Sequence, residues 1–121
     1  MRTIAQVLVA LVALLHAYFL VLEMFLWTKP AGRRAFGTTQ EQAEQSKVLA
    51  MNQGLYNGFL AAGLLWGLTL GAAGRGVVNF FLVCVIVAGV FGAATASRKI
   101  LYVQALPAAV ALAAWLMVVW K

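Results

Sequence analysis

Ionisable and amide side chains inside otherwise apolar runs are the residues of this chain best able to do chemistry. His16 and Glu23 lie in the first run, seven residues apart. At about 100° per residue both fall on one face of a helix, roughly 10 Å apart along its axis, too far to bond directly but able to line one cavity. A second group is Asn52-Gln53-Gly54-Leu55-Tyr56-Asn57-Gly58. Asn52 and Tyr56 share one helical face, Gln53 and Asn57 share the next, and the glycines leave room beside them. Arg98 follows Ser97, and Gln104 comes shortly before Pro107. In a shared pocket Glu23 would be acid, base or charge anchor, with Tyr56 as its catalytic companion. His16, Asn52, Gln53, Asn57 and Gln104 would contact a ligand, and Arg98 would neutralise charge.

A plainer reading stands beside this one. Asn and Gln also join helices within a bilayer at about 0.6 kcal/mol per hydrogen bond, and a single His is often simply packed. A carboxylate is harder to explain that way, because burying it costs several kcal/mol unless it is neutralised, paired or watered. HExxH, GxSxG, Walker-type and CxxC patterns do not occur in the sequence. One His and one Glu are too few for a metal, and the lone Cys84 allows no intrachain disulfide. No cofactor is indicated.

The elements that must carry these residues are set by composition. Of 121 residues 64% are hydrophobic and 10% charged, which departs strongly from soluble domains. Apolar stretches run over residues 4–28, 48–71, 77–97 and 101–120. Each is near the roughly 20 residues a spanning helix needs, and in hydrocarbon a run of this kind satisfies its backbone only as a helix. The expectation is an all-α integral membrane protein, one domain over residues 1–121, with four antiparallel transmembrane helices in a bundle. The first 17 residues resemble a signal peptide, but the apolar run continues to Trp27, which fits a span better.

Residues 29–47 form the one long polar connection and are expected as a cytoplasmic loop. Thr38 or Thr39 with an acidic residue close behind suggests a helix cap there, so either a short interfacial helix or an ordered loop precedes the second span. Lys29, Arg33, Arg34, Lys47, Arg98 and Lys99 fall in the first and third loops, against Arg2, Arg75 and Lys121 on the other side. Six against three predicts loops one and three in the cytoplasm and both termini outside. The net charge of +6 is thereby a topology signal and not a nucleic-acid surface, since the basic residues sit at the ends of apolar runs. The spacings of Gly54 and Gly58, of Gly63, Gly67 and Gly71, and of Gly92 and Ala96 suit close helix contact within the protomer or between copies, so a homo-oligomer is expected.

Asn52 through Ala61, with Leu22-Glu23-Met24-Phe25-Leu26-Trp27 before it and Phe36-Gly37 between, resembles the DUF1304 family of short bacterial membrane proteins of unknown function. That resemblance covers almost the whole chain and implies a four-span protein of the bacterial inner membrane, with no activity to carry over. A more distant, architectural likeness is to the membrane-associated eicosanoid and glutathione metabolism group. It too has four spans, a basic cytoplasmic first loop and polar residues opening its second helix, and its trimers bind glutathione between helices. This chain has Ala50-Met51-Asn52-Gln53 where that group carries several charges. The likeness implies a small-molecule pocket and leaves its ligand open.

The leading expectation is a polar pocket near the cytoplasmic side that binds a small amphipathic or lipophilic molecule and could also transform it, with membrane lipids as surroundings. Alternatives are a small proton-coupled exporter using Glu23, and a structural or accessory subunit packing through its glycine stripe. Glu23 lies near the end of its helix and the halves show no clear inverted repeat, which counts against the exporter.

Overall fold

The computed structural model describes residues 1–120. The chain is all-α, with no strand among the described residues. It contains α1 (Arg2–Met24), α2 (Pro30–Phe36), α3 (Gln40–Thr69), α4 (Arg75–Thr95) and α5 (Leu106–Leu116). A 3-10 turn at Gly71–Gly74 leads into α4, and a π-helical turn at Leu101–Ala105 runs into α5.

Among the described residues five helices stand where the sequence reads as four stretches: the added helix and the early start of α3 fall in residues 29–47, while α1 ends at Met24 and α5 at Leu116, short of the expected 28 and 120. Residues 29–47 are not an extended loop. Pro30 opens α2 at a position where its missing N–H costs nothing, and Gly37 closes it in the left-handed conformation (φ 66°). Nor is there a separate short helix just before the second apolar run. Thr39 caps α3 through a reciprocal pair: its hydroxyl accepts from the Gln42 N–H (3.1 Å) while its own N–H donates to Gln42 Oε1 (2.9 Å). The helix begun there continues through the amides for 30 residues.

The chain divides into two compact units, residues 14–61 and residues 1–13 together with 62 onward. In the first of these, α3 runs antiparallel to the end of α1. A Cβ on Gly54 would stand 2.6 Å from Met24 and 3.1 Å from Glu23 Cβ, and one on Gly58 would stand 2.5 Å from Leu20. The short α2 is held close by Gly32, where a Cβ would come within 2.0 Å of the Leu26 carbonyl oxygen. Trp27 packs on Phe36, with ring centroids 4.9 Å apart.

In the other unit, α4 buries Val78, Leu82, Val85 and Gly89, spaced at i, i+4, i+7 and i+11. Against it α5 sets Ala108, Ala111 and Trp115, all at 0% exposure. The Trp115 indole N–H donates to the Arg75 carbonyl (3.3 Å). Gly63 and Gly67 face Phe81 and Val78, while Gly89 and Gly92 face Ala105 and Ile100, so these neighbours are antiparallel too.

Two helical stretches, Arg2–Met24 and Gly71–Thr95, are long and apolar enough to cross a membrane, and Leu101–Leu116 is apolar but shorter. In their most apolar windows only 28% and 22% of residues are buried. On α1 and the residue that follows it, exposed Ile4, Val7, Leu11, Leu14, Tyr18, Val21 and Phe25 recur at alternating spacings of three and four.

Gly89 separates a structural from a neutral glycine. Its added Cβ would lie 2.7 Å from the Ala105 backbone nitrogen, an atom with little freedom to move, whereas Gly76 has nothing within 4 Å. Gly89→Ala is expected to cost about 1–3 kcal/mol and lower the melting temperature in detergent, with Gly76→Ala near wild type. Equal melting temperatures for both variants would refute the close approach.

Candidate functional site

Unit 14–61 contains six of the eight residues that the sequence marks for chemistry, in two adjoining arrangements. The first is buried. Glu23, the second-last residue of α1, is 4% exposed, and Asn57 Nδ2 donates to its Oε1 at 2.5 Å. The sequence places the two 34 residues apart, and the antiparallel pairing of α1 with α3 closes that distance because Gly54 lets the helices approach at Glu23. A carboxylate among apolar side chains thus has a fixed neutral donor.

The second arrangement is open. A groove of about 550 Å³ is lined by Trp27, Ser46, Leu49, Ala50, Asn52, Gln53 and Tyr56. Its volume falls in the range of small-molecule sites. Asn52, Gln53 and Tyr56 are exposed along it. Asn52 turns its Nδ2 to the Val48 carbonyl of its own helix (2.9 Å), so its oxygen remains as the group to offer a ligand. One wall is fixed by a relay in which the Trp27 indole N–H donates to Ser46 Oγ (3.1 Å) and the Ser46 hydroxyl to the Gln42 carbonyl (2.7 Å). The indole, Leu49 and Ala50 give apolar surface, and the amides, the phenol and Ser46 give polar points, a mixture suited to an amphipathic molecule.

Asn57 links the two sets. It follows Gln53 by one turn on α3 while its amide holds Glu23, so the carboxylate lies on the helical face next to the groove. Glu23 itself does not line the groove. His16 is fully buried two turns before Glu23 and meets Phe19 edge to face, with centroids 5.3 Å apart. The remaining two residues belong to the other unit: Arg98 is exposed just past the end of α4, and Gln104 is half-buried in the π-helical turn. Ser46 is the polar groove residue that sequence reasoning passed over. Its spacing from Gln42, Ala50 and Gln53 on one helical face was the available signal.

A family model described as "Protein of unknown function (DUF1304)" matches residues 10–116. The chain belongs to this family. The match takes in Glu23, Asn57 and every residue of the groove, so the site lies inside the region that defines the family. The chain is also similar to the uncharacterized protein YpaA of Lactococcus lactis subsp. lactis (strain IL1403). The two are 32% identical over 106 residues, covering 86% of this chain and 89% of YpaA. No solved structure gives a significant match.

The Glu23–Asn57 contact makes a thermodynamic prediction. Asn57→Leu alone strands a buried carboxylate and is expected to cost about 1–3 kcal/mol, whereas adding Glu23→Leu should recover most of that loss. Unfolding of the single and double variants in detergent measures the coupling. Strictly additive costs would show that the pair does not act as a unit.

Proposed function

We propose that this member of the family is a four-span protein of the bacterial inner membrane whose unit 14–61 binds a small amphipathic or lipophilic molecule. The observation that carries the reading is the Glu23–Asn57 pair, a buried carboxylate held by one amide at the border of an open, mixed-polarity groove. A purely adhesive role would not require a carboxylate, which is more costly to bury than the amide it bonds.

In this account the groove takes the ligand's apolar body against Trp27 and Leu49, while Asn52, Gln53 and Tyr56 orient its polar end. Glu23, behind Asn57 at the border of the groove, is the charge anchor that a ligand reaches once the Asn57 amide gives way, and if a bond is made or broken, Glu23 and Tyr56 are the acid–base groups. Water is a poor solvent for the outward apolar faces of α1 and α4, and lipid chains are a good one. The third and fourth crossings are the apolar part of α3 and the π-helical turn with α5. Backbone satisfaction within each helix permits both, and the amides of α3 would lie toward the headgroup zone on the cytoplasmic side.

Two measurements test the proposal. Thermal stabilisation of the detergent-solubilised chain by lipids, quinones and thiols should reveal a ligand whose effect disappears in Glu23→Gln and weakens in Tyr56→Phe. Unchanged ligand shifts would remove Glu23 from the site. In a Cys84→Ala background, Gln40→Cys should react with an impermeant maleimide only from the cytoplasmic face and Thr3→Cys only from the outer face. Reversed labelling would invert the topology.

A further inference from the structure

The turn between α2 and α3 holds two buried side-chain polar atoms that have no partner. A hollow of about 300 Å³ is lined by Pro30, Arg33, Arg34 and Thr38. Gly37, at φ 66°, reverses the chain so that the Thr38 N–H donates back to the Arg33 carbonyl (3.1 Å), which sets the Thr38 side chain beside the last turn of α2. Arg33 Nε and Thr38 Oγ1 are both shut off from water, and neither has a hydrogen-bond partner. Buried polar atoms left in that state are costly and call for a partner.

The nearby carboxylates do not supply that partner. Among the described residues Glu44 pairs with Lys47 (3.4 Å) and Glu23 with Asn57, and no ion pair reaches Arg33 or Arg34. Glu41, the remaining acidic residue, sits in the first turn of α3, where it complements the positive helix end. Two adjacent guanidiniums, which can only donate, and a hydroxyl able to donate line one hollow and match the oxygens of a tetrahedral oxyanion. The hydroxyl hydrogen rotates freely and the arginine stem is unbranched, so both can turn toward such a group.

We propose that the hollow bounded by Pro30, Arg33, Arg34 and Thr38 is a binding site for a phosphate group, gripped by the Arg33 and Arg34 guanidiniums and the Thr38 hydroxyl. The site is separate from the groove and stands without the ligand proposed there. Its rigid base follows from Gly32, whose contact with the Leu26 carbonyl fixes α2, and from the packing of Trp27 on Phe36. A phosphate group can come from an acidic lipid headgroup or from a free phosphate, and the chemistry of recognition is the same.

The test is calorimetric titration of the full chain in neutral detergent with inorganic phosphate and, in a separate arm, with dioctanoyl phosphatidylglycerol. Saturable binding at one site per chain is expected in at least one arm. Binding by phosphate alone identifies a free ligand, and binding only by the lipid identifies a headgroup held by its chains as well. Arg33→Gln and Thr38→Val should each weaken binding by about tenfold or more, and Arg33→Lys by severalfold, because a lysine keeps the charge and loses the planar fork. Lys99→Gln, which removes one charge elsewhere, should change affinity by less than about threefold. If Arg33→Gln does not fold, as judged by helicity, Arg34→Gln and Thr38→Val carry the comparison. No binding in either arm, or equal losses in the Arg33→Gln, Thr38→Val and Lys99→Gln variants, overturns the site.

Discussion

The outward faces of α1 and α4 are apolar, and a helix cannot leave such a face in water without a large free-energy cost. With 28% and 22% of the most apolar windows buried, most of this surface has no protein partner within the chain. A core helix of a soluble protein would be mostly covered. The seven exposed apolar residues from Ile4 to Phe25 show the constraint most clearly, since they recur along the full length of a helix that carries no charge between Arg2 and Glu23. Under the proposed membrane setting this surface is solvated by acyl chains, and the burden shifts to the polar groups, each of which needs a partner inside the protein.

Glu23 is where that burden is greatest. Asn57 meets it, and Gly54 makes the meeting geometrically possible by letting α3 approach the end of α1. The groove beside the pair then has a simple origin. The neighbouring face of α3 carries amides and a phenol that no other helix engages among the described residues, with Asn52 bonded only to Val48 of its own helix, and Trp27, held by Ser46, supplies a wall. Structure and proposed function thus share one cause: polar residues exceed the partners available to them, and the surplus lines an open site. The arginine-lined hollow at the end of α2 repeats this pattern with positive charge.

Much of this was legible from the sequence. The apolar stretches gave the all-α fold, the spacings of Gly54, Gly58, Gly63, Gly67 and Gly92 marked where helices approach, and the cost of burying a carboxylate singled out Glu23. Gly71 instead serves the turn, at φ 59°. The partner of Glu23 was visible only as a group of four polar side chains, because choosing Asn57 from among them requires the rotation of α3 about its axis. Which of those side chains would face the groove was hidden for the same reason. The helical character of residues 29–47 was legible in principle. Pro30 at the start and Gly37 past the end are helix punctuation, but the same two residue types also read as loop, and the contact at Gly32 that decides the matter is tertiary. The unbroken course of α3 was obscured by its own amides, which interrupt the apolar signal without interrupting the backbone.

The central claim is that hydrocarbon, and not water, covers the outward faces of α1 and α4. Flotation of native membranes on a density gradient after alkaline carbonate extraction tests it directly. The account predicts that the chain rises with the lipid fraction and leaves it only when detergent is added. Recovery of a helical, monodisperse chain in detergent-free buffer would contradict it.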